Sequence, residues 1–93
     1  MKHGESVRLR ILNAGVKLWE DDPIKVNSVS IAREICMTPQ GVMYYFSDGL
    51  REEVAKYAVE IGASRVIVQL LAINHPLVKD MPKAERLRHM AVI

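Results

Sequence analysis

The sequence of 93 residues contains a single cysteine, Cys36, and no long apolar run. One cysteine excludes a disulfide framework within the chain and a metal site built from several cysteines. The longest apolar runs, at 66–68 and 70–73, fall far short of the roughly 20 apolar residues that a membrane-spanning helix needs. From the length we expect a single small domain and not a large multidomain enzyme. We therefore expect a small soluble protein of the cytoplasm with no membrane partner.

The net charge of the chain is also small. Thirteen Lys and Arg residues against eleven Asp and Glu residues give a net charge of +2, far weaker than that of a histone-like binder. The positive excess lies in residues 1–19 and 74–93, and residues 20–22 are acidic. Apolar residues make up 49% of the chain and charged residues 26%, which is typical of a globular domain and not of a disordered one.

The hydrophobic periodicity is helical throughout and predicts an all-α fold, with no segment that alternates as a strand does. A first helix with apolar residues at helical spacing is predicted to end before Pro23. Residues 24–26 are predicted to form a short extended link. A second helix is predicted to begin at Asn27 or Ser28, both good N-cap residues, and to continue to Ile35.

A third helix is predicted over Pro39–Phe46, because Thr38 supplies a hydroxyl cap and proline suits the first helical position. Two short helices separated by a tight break are the parts of a helix-turn-helix, and Ala32 is small enough for the helix crossing. The Gln40 amide is suited to pairing with adenine in the major groove. Gly41 would allow close approach to the DNA backbone.

A long fourth helix is predicted over residues 50–73, followed by a short one from about Pro82 to His89. The long helix is apolar on more than one side. Its apolar face is interpreted either as an intramolecular core or as a dimer interface, and we favour the interface. The residues predicted to lie in that interface are Val59, Ala63, Val66, Leu70 and Ile73. We accordingly expect a DNA-binding domain over residues 1–49 and an oligomerisation element over residues 50–93.

Residues 5–54 resemble the DNA-binding domain of the tetracycline-repressor (TetR) family of bacterial regulators. The resemblance is carried by RLRILNAGVKLW at 8–19, SIAREI at 30–35 and MTPQGVMYYF at 37–46. It implies a three-helix domain whose third helix enters the major groove, and a homodimer on a palindromic operator. It also implies that Phe46 lies in the core. The full set of predicted DNA-contacting residues is Thr38, Pro39, Gln40, Gly41, Tyr44, Tyr45, Arg51, Arg8 and Lys25.

The sequence departs from the family pattern at several points. Cys36 and Met37 stand where the family usually has glycine and valine, and Gly49 replaces a common phosphate-binding lysine. Arg51 is the predicted substitute for that lysine. The segment after the motif is too short for the large ligand-binding domain of the family. We therefore expect regulation by protein abundance and not by a small molecule.

Nothing in the sequence predicts catalysis, because no nucleophile, base and orienting group are indicated together. His3, His75 and His89 share no metal-ligand spacing, so we expect neither a metal site nor a cofactor. Two other functions stay open beside the preferred DNA-binding regulator. One is a phage- or plasmid-type DNA-binding assembly protein that forms a ring, and the other is a protein-interaction module that has lost DNA binding. The basic C-terminal segment is a candidate contact for DNA phosphates or a protein partner; its basic residues include Lys83, Arg86 and Arg88.

Overall fold

The fold is entirely helical in a computed structural model, which describes residues 3–92 and has no strand among them. This confirms the predicted all-α class. The helices are α1 (His3–Asp21), α2 (Ser28–Ile35), α3 (Pro39–Tyr45), α4 (Leu50–Glu60), α5 (Ser64–Ala72) and α6 (Lys83–Val92), with 3₁₀ turns at Pro23–Lys25 and Pro76–Val78. Over the described part of the chain, every helix is too short or too polar to cross a bilayer.

The chain divides into two compact units, the first ending at Val54 and the second beginning at Ala55. The predicted boundary after residue 49 lies one helical turn earlier. Val54 belongs to the first unit because its side chain contacts the backbone of α1 at Gly15. The first unit buries apolar side chains from α1, α2 and α3; they include Ile11, Trp19, Ile31, Ala32, Val42 and Phe46.

Local capping determines where the short helices of the first unit begin. The Asn27 side chain accepts a hydrogen bond from the Ser30 amide at 2.9 Å. Asn27, one of the two residues predicted to begin the second helix, is therefore the N-cap of α2. The predicted extended link at residues 24–26 is wrong, since Pro23–Lys25 forms a 3₁₀ turn. The physical reason is a second cap, in which Asp22 accepts a hydrogen bond from the Ile24 amide at 3.1 Å.

The second unit contains the part of α4 from Ala55 onwards, α5, the Pro76–Val78 turn and α6. Val66, Ile67 and Leu70 of α5 are fully buried, and so is Val78. His89 of α6 is 5% exposed, and its Nδ1 atom lies 2.8 Å from the Ser64 hydroxyl at the start of α5. This buried polar contact connects α6 to α5.

The predicted continuous helix over residues 50–73 is wrong, because the chain breaks between α4 and α5. Gly62 adopts a left-handed conformation with φ of +71°. The Ala63 amide donates to the Ala58 carbonyl at 2.8 Å, and the Gly62 amide donates to the Val59 carbonyl at 3.2 Å. These two bonds form a Schellman motif, which satisfies the last carbonyls of α4 and ends the helix.

Candidate nucleic-acid interface

The first turn of α3 is fixed by the two residues that precede and open it. The Thr38 hydroxyl oxygen accepts a hydrogen bond from the Gly41 amide at 3.1 Å, and Pro39 occupies the first helical turn. Thr38, Pro39 and Gln40 are all exposed. A β-carbon on Gly41 would lie 3.2 Å from the Thr38 hydroxyl oxygen. The same β-carbon would lie 3.1 Å from Met37 Cε, so glycine at this position leaves room for the cap and for the Met37 side chain.

The two sides of α3 differ sharply in exposure. Val42 and Phe46 are buried at 0% and 3% exposure, and they hold the helix against the core of the first unit. Gln40 and Tyr44, which are one helical turn apart, face solvent, and the Tyr44 side chain is 81% exposed. Met43, which sequence reasoning did not select, is 39% exposed on the same helix. The α3 helix thus presents an uncharged polar and aromatic surface.

The two adjacent tyrosines occupy different environments. Tyr45 is half-buried, whereas Tyr44 is exposed, and their rings meet edge to face with centroids 5.1 Å apart. This contact restricts the orientation of the Tyr44 ring and leaves its hydroxyl group on the exposed side of the pair. Of the two predicted phosphate contacts, Tyr44 is therefore the more accessible.

A three-residue turn joins α2 to α3, and it is stabilised by a left-handed residue. Cys36 has φ of 58°, and the following Met37 amide donates to the Ala32 carbonyl at 2.9 Å. Ala32 is buried, as its predicted place at the helix crossing requires. Cys36 is an exposed free thiol. The conformation of Cys36 is the one that glycine adopts most easily.

Two arginines of α1 reach the carboxyl ends of the next two helices. Arg8 Nη1 donates to the Tyr45 carbonyl at 3.0 Å, and its guanidinium carbon lies 4.4 Å from the centroid of the Phe46 ring. Arg10 Nη2 donates to the Ile35 carbonyl at 3.0 Å. A cation at a helix C-terminus satisfies an unpaired carbonyl and complements the helix dipole. Arg8, a predicted DNA contact, therefore has an intramolecular role that sequence reasoning missed.

Arg51 connects the start of α4 to the 3₁₀ turn after α1. Its Nη1 atom donates to the carbonyls of Pro23 at 2.6 Å and Val26 at 3.2 Å, and its guanidinium carbon lies 4.9 Å from the Trp19 ring centroid. These contacts hold the loop in place. Arg51 thus has a structural role beside its predicted role as a phosphate contact.

Lys25, the last predicted DNA contact, is exposed and forms an ion pair with Asp21 at 2.5 Å. The hydrogen bond and charge of Lys25 hold the pKa of the Asp21 carboxyl below its usual value, and Asp21 in turn raises the pKa of Lys25. A similar pair joins Lys17 to Glu34 at 2.8 Å and raises the pKa of Lys17. The ammonium groups stay protonated at neutral pH, although neighbouring carboxylates offset their charge.

The five residues of the predicted dimer interface do not form one surface. Val66 and Leu70 are fully buried within the single chain, so they cannot contact a partner without unfolding of α5. Val59 and Ala63 are half-buried and lie on opposite sides of the break at Gly62. Ile73 alone is widely exposed, at 69%. The interface prediction is wrong for Val66 and Leu70, because the break in the helix turns α5 into a core element of the second unit.

The basic residues of the C-terminal segment are partly engaged within the second unit. Arg86 donates to the carbonyls of Met81 at 2.9 Å and Lys79 at 3.0 Å. Arg88 lies 3.7 Å from Glu85, and Lys83 is exposed at the start of α6. Within residues 3–92 no three His, Cys, Asp or Glu side chains group together as a metal site would require.

Comparisons of this chain with protein-family models, with curated proteins and with solved structures found no significant match.

Proposed function

We propose that the protein is a sequence-specific DNA-binding regulator, with α2 and α3 as a helix-turn-helix and α3 as the helix that enters the major groove. The observation that carries the proposal is the exposed surface of α3. Gln40 and Tyr44 extend from one side of the helix, while Val42 and Phe46 anchor the other side. A short helix held by its apolar side and open on a polar side is what major-groove reading requires.

Each exposed residue of this surface has a distinct part in the proposed complex. The Gln40 amide offers a donor and an acceptor, which match the N7 and N6 edge of adenine. The Tyr44 hydroxyl donates to a phosphate oxygen and sets the position of the helix without reading sequence. The α3 helix carries no acidic residue, so phosphates meet no repulsion from it.

The regulator is proposed to act as a homodimer, since one helix-turn-helix reads a single half-site and two half-sites about 34 Å apart give specificity. Exposed apolar side chains of the second unit offer contacts for a second copy; they include Ile61, Ile73 and Leu87. These residues replace Val66 and Leu70 as candidates for the interface.

The test is selection of bound sequences from a random duplex pool by the full chain, followed by affinity measurements over a range of salt concentrations. We expect an enriched inverted repeat and an affinity that falls steeply with salt. Gln40→Ala should abolish the preference at one base pair per half-site, a loss of about 1–3 kcal/mol of discrimination. Tyr44→Phe should weaken binding to all sequences alike. Arg65→Gln changes an exposed residue of α5 that lies outside the proposed DNA-binding surface. It is the matched control and should leave the preference unchanged.

The same preparations distinguish the other functions. A pool without any enriched sequence would reject the proposal, and normal folding without salt-sensitive DNA affinity would favour a protein-interaction module. Light scattering gives the solution mass. A dimer supports the regulator, and an assembly of more than four chains supports the DNA-binding assembly protein.

A further inference from the structure

The second unit contains a cleft of about 200 Å³ between the end of α5, the Pro76–Val78 turn and α6. Its apolar wall is formed by Leu71, Val78 and Met90. Sites for drug-sized ligands usually measure roughly 300–1,000 Å³, so this cleft suits a smaller molecule. It lies entirely within one compact unit and involves no residue of the proposed DNA-binding surface.

The polar wall of the cleft is formed by Asn74, His75, Lys79 and Arg86, and the last three supply hydrogen-bond donors. The Nδ1 atom of His75 accepts a hydrogen bond from the Leu77 amide at 3.1 Å. The proton of the neutral imidazole therefore lies on Nε2, which makes that atom a donor. Lys79 and Arg86 add two cationic groups, and no carboxylate is among the described residues that line the cleft.

Arg86 is held in place before any ligand arrives. Its Nε and Nη2 atoms donate to the carbonyls of Met81 and Lys79, which fixes the plane of the guanidinium group. The Nη1 atom is not used in these bonds. A fixed guanidinium loses little conformational entropy when it binds an anion, and a carboxylate matches its planar geometry.

We propose that this cleft binds a small carboxylate with a short hydrocarbon chain. The carboxylate would accept hydrogen bonds from Arg86, Lys79 and His75, and the hydrocarbon would cover Leu71, Val78 and Met90. A compact inorganic anion such as phosphate would leave the apolar wall uncovered, and a neutral molecule would make no use of the positive charge of Lys79 and Arg86. This proposal is independent of DNA binding.

The test is an NMR titration of the full chain with hexanoate, in the absence of DNA. Amide signals from 71–90 are expected to shift in a saturable manner, while those of α3 stay in place as an internal reference. Hexanamide and inorganic phosphate should each bind at least about tenfold more weakly than hexanoate. Hexanamide lacks the negative charge that pairs with the polar wall, and phosphate lacks the hydrocarbon that covers the apolar wall. Lys79→Gln should weaken hexanoate binding about three- to tenfold. Lys79 is exposed, so this variant tests the site without disturbing the core.

Lys83→Gln is the matched control, because Lys83 is an exposed lysine of the same unit that does not line the cleft. Its affinity for hexanoate should equal that of the unmodified protein. Equal affinities for hexanoate and hexanamide would overturn the proposal, and so would equal losses in the two lysine variants. Shifts spread evenly over both units would also overturn it, since they would indicate non-specific binding of an amphipathic ion.

Discussion

A β-carbon added at Gly15 would lie only 2.5 Å from the Cγ2 atom of Val54. Val54 itself is fully buried, and Gly15 lies in the middle of α1. The backbone of α1 and the side chain of Val54 are therefore in direct contact, with no space for even one methyl group. This contact joins α4 to α1 within the first unit.

Gly15→Ala should lower the free energy of unfolding by about 1 kcal/mol or more. Alanine raises helix propensity by about 1 kcal/mol, but overpacking against Val54 costs roughly 1–3 kcal/mol and prevails. Urea denaturation measures the difference. In a Val54→Ala background the clash is absent, so the same substitution should become stabilising there. Stabilisation by Gly15→Ala in the unmodified protein would contradict the described contact.

Arg51→Met should destabilise the first unit by about 1–2 kcal/mol, because two carbonyls of the loop after α1 lose a charged donor. Arg51→Lys should recover only part of that loss, since an ammonium group lacks the planar fork. Thermal denaturation is the measurement, with the exposed Arg65→Met as control. If Arg51→Met leaves stability unchanged but weakens DNA binding, the phosphate role predicted from the sequence is the principal one.

The helix starts that could be predicted from the sequence are those fixed by residues close together in the chain. Asn27 and the Thr38–Pro39 pair mark the starts of α2 and α3 through their own hydrogen bonds and fixed dihedral angles. The roles of Arg8 and Arg51 could not be predicted in this way. Their partners are backbone carbonyls 37 and 28 residues away, and a carbonyl has no sequence signature.

The break at Gly62 was missed for a different reason. The apolar residues of α4 and α5 continue at helical spacing across it, so periodicity alone predicts one helix. Gly62 within this pattern is the available sequence signal for a break, but the continuous apolar spacing on both sides of it favours one helix. The dimer-interface prediction is wrong for Val66 and Leu70, since both side chains lie in the core of the second unit.

Cys36→Gly should stabilise the protein by about 1 kcal/mol. A non-glycine residue with φ of 58° is strained by roughly 1–2 kcal/mol, and glycine relieves this strain while adding some entropy to the unfolded chain. Chemical denaturation under reducing conditions is the measurement. Cys36→Ala keeps the strain and removes the sulfur, so it should change stability little. Equal gains in both variants would assign the effect to the thiol and not to the backbone.

The pKa of Asp21 should be measurably below its ordinary value of 3.8. Because the folded-state pKa is lowered, the stabilisation from its pair with Lys25 is present above that ordinary value and is lost as pH falls through the lowered pKa. Carboxyl-detected NMR titration gives the value directly. In Lys25→Gln the pKa should return towards 3.8, whereas Lys17→Gln should leave it unchanged. An unshifted pKa of Asp21 would mean that the ion pair does not persist in solution.

Gly62→Ala distinguishes the broken helix from a continuous one by the sign of its effect. At a left-handed position alanine is strained, so the free energy of unfolding should fall by about 1 kcal/mol. In the interior of a continuous helix the same substitution would raise the free energy of unfolding by about the same amount. The nearest atom to the new β-carbon is His89 Cε1 at 4.0 Å, so steric crowding does not confuse the result. Gly62→Asn is the control, because asparagine tolerates this conformation, as Asn74 does with φ of 53° at the end of α5. It should therefore cost less than alanine, and the reverse order would indicate an uninterrupted helix.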